Sequence, residues 1–268
     1  MDKRRLTAED LYRFKIVSDP QISPDGNHVI FCVQTVEQPS EKKYSHLWLA
    51  AADGSTPPRQ FTFGKHRDIY PRWSPDGRAI AFLSNRADEK QAQIYRIDLA
   101  GGEAQPITRL TGTIASFAWS PDGAQFVCQF RQKDQTAVER EKDEQKKKLG
   151  LVDRRITRLD FRADGAGYLP EERWHVWTIN AMTGAATQLT SGDTFQETNP
   201  SWSPDGRHIL FTSVRADPPD VNWELSELYL IPAQGGEMRQ VQGHNGRKFE
   251  GAFSPDGQQI AYLGRERY

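Results

Sequence analysis

The tetrapeptide Ser-Pro-Asp-Gly occurs five times in this chain, beginning at Ser23, Ser74, Ser120, Ser203 and Ser254. A turn-forming tetrapeptide repeated that often means that copies of one structural unit make up the fold. The starts lie 51, 46, 83 and 51 residues apart, and the long interval equals an ordinary unit plus an insertion of roughly 30 to 40 residues. Proline presets φ for the first corner of a type I turn, aspartate suits the second, and glycine takes the left-handed position that follows. The expected product is a three-residue, bulged hairpin. An aromatic residue or isoleucine precedes each copy (Ile22, Trp73, Trp119, Trp202, Phe253). A β-rich run follows each one: VIFCV from Val29, IAFLS from Ile80, FVCQF from Phe126, ILFTS from Ile209 and IAYLG from Ile260. Two antiparallel strands therefore flank each turn.

Each complete unit continues into a third run that ends in a glycine turn (LWLAAADG from Leu47, IYRIDLAGG from Ile94, VWTINAMTG from Val176, LYLIPAQGG from Leu228). A short fourth run follows, Gln60-Phe61-Thr62, Pro106-Ile107-Thr108, Gln188-Leu189-Thr190 and Gln240-Val241-Gln242. Four-stranded meanders at this spacing are the mark of β-propeller blades. The inner strands read apolar on both faces, as Ala81 and Phe82 or Leu210 and Phe211 illustrate, which suits sheets stacked face to face. None of the seven tryptophans precedes an aspartate, so the Trp-Asp repeat class is disfavoured. The expected fold is all-β, a β-propeller of four-stranded antiparallel blades that stops after about four and a half blades. A helix and lead-in occupy 1–16, blade 1 17–63, blade 2 69–109, blade 3 115–190 with an insertion over 131–174, blade 4 198–242, and half of blade 5 249–268. The helix is expected over Leu6 to Phe14, where Thr7 and Asp10 form a capping-box pattern, packed on the propeller rim. Half of a fifth blade leaves an open strand edge, so a fragment, or a chain completed by another, is expected.

The chain has 268 residues and a formal net charge of −1, which gives it no electrostatic claim on nucleic acid or an anionic membrane. Its 21 glycines and 16 prolines fit many short elements. The longest apolar stretch, Leu47 to Ala52, is far below the ~20 residues a spanning helix needs. The start, Met1-Asp2-Lys3-Arg4-Arg5, leads into no apolar segment, so a cytoplasmic location without a secretory signal is expected. Cys32 and Cys128 sit singly in apolar runs, as reduced thiols in a reducing compartment do.

No GxSxG elbow occurs, so the strained serine of an α/β-hydrolase is missing. Ser40-Glu41-Lys42-Lys43 matches SxxK without its companion motifs and reads as a polar loop. The six histidines lack metal-ligand spacing, and no metal or cofactor is expected. Gly101-Gly102 and Gly235-Gly236 are turn glycines outside any phosphate-cradling motif. The repeated pairs Asp25-Gly26, Asp76-Gly77, Asp122-Gly123, Asp205-Gly206 and Asp256-Gly257 are identically placed, so they serve the turns. Glu139 to Lys148 has nine charged residues in ten, a solvated helix or mobile loop. The run from Arg154 to Gly165 concentrates guanidiniums near aromatics. It reads as a hairpin turning at Asp164-Gly165, its arginines paired with Asp153, Asp160 and water, and arginine there also suits carboxylate capture.

LTAEDLYRF at the start, the repeated W-S-P-D-G, the fourth-strand runs and ITRLDFRADGAGYLPEERWHVW together resemble the N-terminal propeller of prolyl-oligopeptidase-family serine peptidases, in the acylaminoacyl-peptidase branch. The similarity covers essentially all 268 residues. It implies a C-terminal α/β-hydrolase domain carrying the triad, absent from this chain, and a propeller that admits only short peptides. Activity on acylated or short oligopeptide N-termini is what that family implies, with the chain alone inactive and no triad residue to carry over. Arg158, Arg162 and Asp164 are the candidate contacts with substrate or with the hydrolase domain. A stand-alone protein-binding propeller of the Tol type, which shares the SPDG motif, is the alternative.

Overall fold

The structure is a computed structural model that describes residues 4–149 and 155–266. The chain divides into two compact units, Met1–Arg109 with Met182–Gly184, and Leu110–Ala181 with Ala185–Tyr268.

In the first unit, β1 (Ile16–Ile22), β2 (His28–Val36), β3 (Lys43–Ala51) and β4 (Arg59–Gln60) form an antiparallel sheet in chain order. A second sheet takes β5 (Asp68–Trp73), β6 (Ala79–Ser84), β7 (Gln93–Asp98) and β8 (Gln105–Pro106). The N-terminal helix is a 3-10 helix, Ala8–Arg13, beside β2. Asp10 accepts the Thr7 N–H at 2.9 Å and pairs with Arg4, and these two partners hold its carboxyl well below the ordinary range. Every residue of β6 is buried, and Ile30, Leu47, Ile80 and Phe82 form the core. The two-faced apolar pattern is what burial on both faces requires.

The second unit opens with β9 (Gly112–Trp119) and β10 (Gln125–Gln132), then α1 (Gln135–Lys142), α2 (Glu144–Leu149) and a small hairpin of β11 (Arg162–Ala163) and β12 (Gly167–Tyr168). β13 (His175–Asn180) and β14 (Ala186–Gln188) then join β10 and β9 in one sheet, so the insertion lies between that sheet's second and third strands. The next sheet is β15 (Glu197–Trp202), β16 (His208–Val214), β17 (Ser226–Pro232) and β18 (Arg239–Gln240), and β19 (Gly246–Phe253) pairs with β20 (Ile260–Glu266). Val127, Val176, Ile209, Phe211 and Ile231 form a core cluster of this unit. The charged run forms α1 and α2, with no buried side chain in either. No helix among the described residues is long and apolar enough to cross a membrane.

The tetrapeptide turns act through their serines. Each serine hydroxyl donates to the turn aspartate at 2.5–2.6 Å and accepts the backbone N–H five residues on at 2.9 Å. Gly26, Gly77, Gly123, Gly206 and Gly257 all have φ between 69° and 76°, a conformation that glycine adopts without steric cost. Asp25 is held down to about 2, first by the Ser23 hydroxyl and then by the Asn27 N–H. The matching serines lower Asp76, Asp122, Asp205 and Asp256. A carboxyl with a depressed folded pKa stabilises the fold above its unfolded value, and that contribution is lost as pH falls through the folded value. Acid unfolding is therefore expected between about pH 4 and pH 2 by near-UV circular dichroism of the tryptophans. Ser203→Ala frees Asp205 and should move the midpoint upward; an unmoved midpoint would assign acid unfolding to other carboxyls.

The aromatic residue before the turn links neighbouring sheets within a unit. The Trp73 indole N–H donates to the Gln21 carbonyl at 3.0 Å, and that of Trp202 to the Ala118 carbonyl at 3.2 Å. The fourth strands end earlier than their runs suggest, at Gln60, Pro106, Gln188 and Gln240. The threonines Thr62, Thr108 and Thr190 lie just beyond, where each hydroxyl accepts a third-strand N–H, from Leu47, Ile94 and Val176, at 2.9–3.0 Å. The threonine takes the third-strand N–H while the same residue's carbonyl still accepts the backbone N–H of Phe61, Ile107 or Leu189, so the regular ladder stops there.

Candidate functional site

The first strand of most sheets carries the same irregularity. The register of β1, β5, β15 and β19 shifts between Ser18 and Gln21, Ile69 and Arg72, Thr198 and Ser201, and Phe249 and Ala252. Two residues there oppose one on the partner strand, which is a β-bulge. The first of the two has positive φ in each case: Asp19 50°, Tyr70 59°, Asn199 53° and Glu250 52°. The second is Pro20, Pro71, Pro200 or Gly251. Proline has no N–H for a ladder, so a bulge is where a strand tolerates it. A non-glycine residue in the left-handed region is strained, and the surroundings fix it. Asn199 N–H donates to the Gln129 side chain at 3.1 Å, and Arg72 binds Asp19 at 2.9 Å while stacking on Tyr70.

Buried charges brace these strands. Five residues before Trp73 and Trp202 stand Asp68 and Glu197, both fully buried. Asp68 receives Arg86 through one nitrogen, at 2.9 and 3.0 Å. Glu197 pairs with Arg215, accepts the Thr190 hydroxyl at 2.5 Å, and meets His175 Nδ1 at 2.8 Å. At the same place in β19 stands Lys248, 2% exposed, paired with Glu227 at 2.7 Å. His175 and Glu227 hold equivalent positions, one residue before Val176 and Leu228, so in both places the third strand of the preceding sheet supplies the partner. Burial makes an unpaired charge costly, hence each such strand position has its complement.

Between the bulges of β15 and β19 the second unit holds a cavity of about 410 Å³, within the range of small-molecule sites. Asn199, Glu250, Arg173, Arg247, Trp223 and Phe249 are among its lining residues. The insertion contributes Asp160, and the loop after β16 contributes Asp220. Asp220 Oδ2 accepts the Leu159 and Asp160 N–H groups at 3.1 and 3.4 Å, which ties insertion to loop. Arg247 lies over Trp223 at 4.9 Å and over Phe249 at 4.7 Å. The arrangement can bind, and its two lining serines, Ser213 and Ser226, donate to the Gln196 and Lys248 carbonyls. Burial pushes the Cys32 thiol up to about 11 and raises Cys128 as well, so neither is a thiolate at neutral pH.

Residues 8–157, more than half of the chain, match the model of the PD40 family, described as TolB beta propeller domain. The chain belongs to the TolB beta-propeller domain family. The propeller is 30% identical over 232 residues to the uncharacterized peptidase YuxL of Bacillus subtilis, across 85% of this chain and 34% of that protein. It is 28% identical over 282 residues to dipeptidyl-peptidase 5 of Porphyromonas gingivalis, across 98% of this chain and 39% of that protein. Among solved structures, the acylaminoacyl peptidase of Pyrococcus horikoshii superimposes with a TM-score of 0.71 at 19% identity, over 96% of this chain and 36% of that one. The chain thus spans little more than a third of these relatives, and its propeller resembles the N-terminal domain of prolyl-oligopeptidase-family peptidases.

The propeller does not gather the residues singled out in its insertion. Arg158 donates to the Pro170 carbonyl at 2.6 Å instead of pairing with Asp160, whose backbone N–H donates to Asp220. Arg162 begins β11 and lies over the Tyr168 ring at 5.8 Å. Asp164 is exposed in the hairpin turn, next to Gly165 with φ 75°. None of the three lines the cavity. Asp153 and Arg154 lie outside the described residues, as do Met1 to Lys3. No local pattern marks the cavity arginines, Arg173 and Arg247; the proline three residues before three of the five tetrapeptides marks the bulges of β1, β5 and β15 but not that of β19.

Proposed function

We propose that this chain is the non-catalytic propeller of a serine peptidase, with four complete blades and half of a fifth, and that it gates access to a C-terminal α/β-hydrolase domain outside this chain. The observation that carries the reading is the company the chain keeps: relatives aligned along 85–98% of it are peptidases of which the alignment spans only 34–39%. Substrates in this reading are short peptides, since a propeller set before an active site excludes folded chains by size. The exposed hairpin turn with Arg162 and Asp164 is offered as a contact with the hydrolase domain. A cytoplasmic setting fits the two buried free thiols.

The test is the intact mass of the protein in its native host, with an active-site serine probe applied to the same band. A mass well above 30.5 kDa with labelling is the expected result. A mass near 30.5 kDa without labelling would overturn the reading in favour of a protein-binding propeller of the Tol type.

A further inference from the structure

We propose that the cavity of the second unit is a carboxylate subsite in which Arg247 and Thr212 receive the C-terminal carboxylate of a short peptide. The peptide nature of the ligand rests on the peptidase reading above; the carboxylate chemistry rests on the cavity alone.

Six other guanidiniums lie over aromatic rings among the described residues; Arg59, Arg131 and Arg162 do so without an ion pair, and the remaining three are Arg72 on Tyr70, Arg86 on Phe82 and Tyr95, and Arg215 on Phe195 and Tyr229. These last three are each neutralised by a carboxylate, Asp19, Asp68 and Glu197 respectively. Arg247 is held in the same way, over Trp223 and Phe249, but pairs with no carboxylate among the described residues. Its Nε is screened from solvent and has no hydrogen-bond partner. The Thr212 side chain is 6% exposed, lines the same cavity, and its hydroxyl is also without a partner. A buried donor left unpaired is costly, and two donors at one cavity call for an acceptor that reaches both. Contact with two rings restricts the guanidinium, so that pairing its planar N–H groups with a planar carboxylate costs little further entropy.

The surroundings narrow the anion. Asp160 and Glu250, both exposed, lie at the same cavity, and their charge opposes a phosphate dianion more strongly than a single carboxylate. Asp220 is engaged by two backbone N–H groups and leaves the guanidinium free. Val214, Pro219, Trp223 and Phe249 offer apolar wall, and a volume of about 410 Å³ admits the end of a peptide but no folded chain.

The test is calorimetry on the full-length protein, with any reactive serine blocked by the serine probe. Three tetrapeptides are compared: a free acid, its C-terminal amide, and an amide with glutamate as last residue. The free acid is expected to bind at least about tenfold more tightly than the plain amide. Arg247→Gln should abolish that preference and Thr212→Val should reduce it, while thermal unfolding stays near wild type. Arg247→Lys, which keeps the charge and loses the fork, should retain only part of the preference and serves if the glutamine variant does not fold. Equal binding of acid and amide, no binding of either, or an undiminished preference in Arg247→Gln would overturn the subsite. A glutamate amide that binds as well as the free acid would overturn the C-terminal assignment in favour of a side-chain carboxylate. Labelled protein without a preference for the acid sinks the subsite alone; unlabelled protein with that preference sinks the peptidase reading alone.

Discussion

Replacing Glu197 by alanine is expected to destabilise the second unit by about 3–5 kcal/mol, the range for removing one partner of a buried ion pair. Glu197 is fully buried and receives Arg215, the Thr190 hydroxyl and the His175 ring. Without it a largely buried guanidinium loses its counter-charge, and two further polar groups lose their acceptor. Urea unfolding followed by tryptophan fluorescence measures the loss. Glu197→Gln keeps acceptor capacity without the charge and should fall between wild type and alanine. A loss under about 1 kcal/mol in the alanine variant would place the pair in the class of solvent-screened surface bridges.

Phe211→Ala is expected to cost a similar amount, about 3–5 kcal/mol, from lost transfer energy and the cavity left behind. Phe211 is fully buried among Val127, Val176, Ile209 and Ile231, and stacks on Tyr229 at 5.9 Å. It is also the residue that faces the two-residue bulge of β15, because Thr198 pairs with Thr212 and Ser201 with Leu210. Losing its ring should therefore loosen Asn199 together with the core. Calorimetric unfolding reports the first effect and faster hydrogen exchange at the Asn199 amide the second. A destabilised variant with unchanged exchange would show that the bulge is held by Gln129 alone.

The turns and the strands next to them were legible because their determinants are local: four residues set each turn, and its serine closes the loop five residues on. The second and third strands were legible because burial on both faces leaves an uninterrupted apolar run. The fourth strands were placed slightly late because Thr62, Thr108 and Thr190 look like strand residues and act as terminators. The 3-10 character of Ala8–Arg13 was hidden, since the capping pattern at Thr7 and Asp10 suits either helix. The cavity was harder to read. Arg247, Trp223 and Thr212 come from three separate segments, and only strand pairing and sheet stacking unite them. The insertion drew attention through its density of arginines, yet Arg158 and Arg162 serve a carbonyl and a ring, while the arginines at the cavity stand singly in the sequence. The pairs His175 with Glu197 and Glu227 with Lys248 were invisible for the same reason: each joins positions about twenty residues apart that meet only when one sheet packs on the next.

The bulges carry a consequence for how a propeller of this kind can change. Alternation along a strand normally ties each side chain to one face, and a slip of one residue inverts all the others. A bulge suspends that rule for one residue, so its side chain can be exchanged while the strand on either side keeps its register. The occupants are chemically unlike, Asp19, Tyr70, Asn199 and Glu250, on otherwise similar frames. They are interchangeable sockets on a fixed scaffold, through which natural variation or a designer can alter charge, size or hydrogen bonding one socket at a time without refolding the sheet.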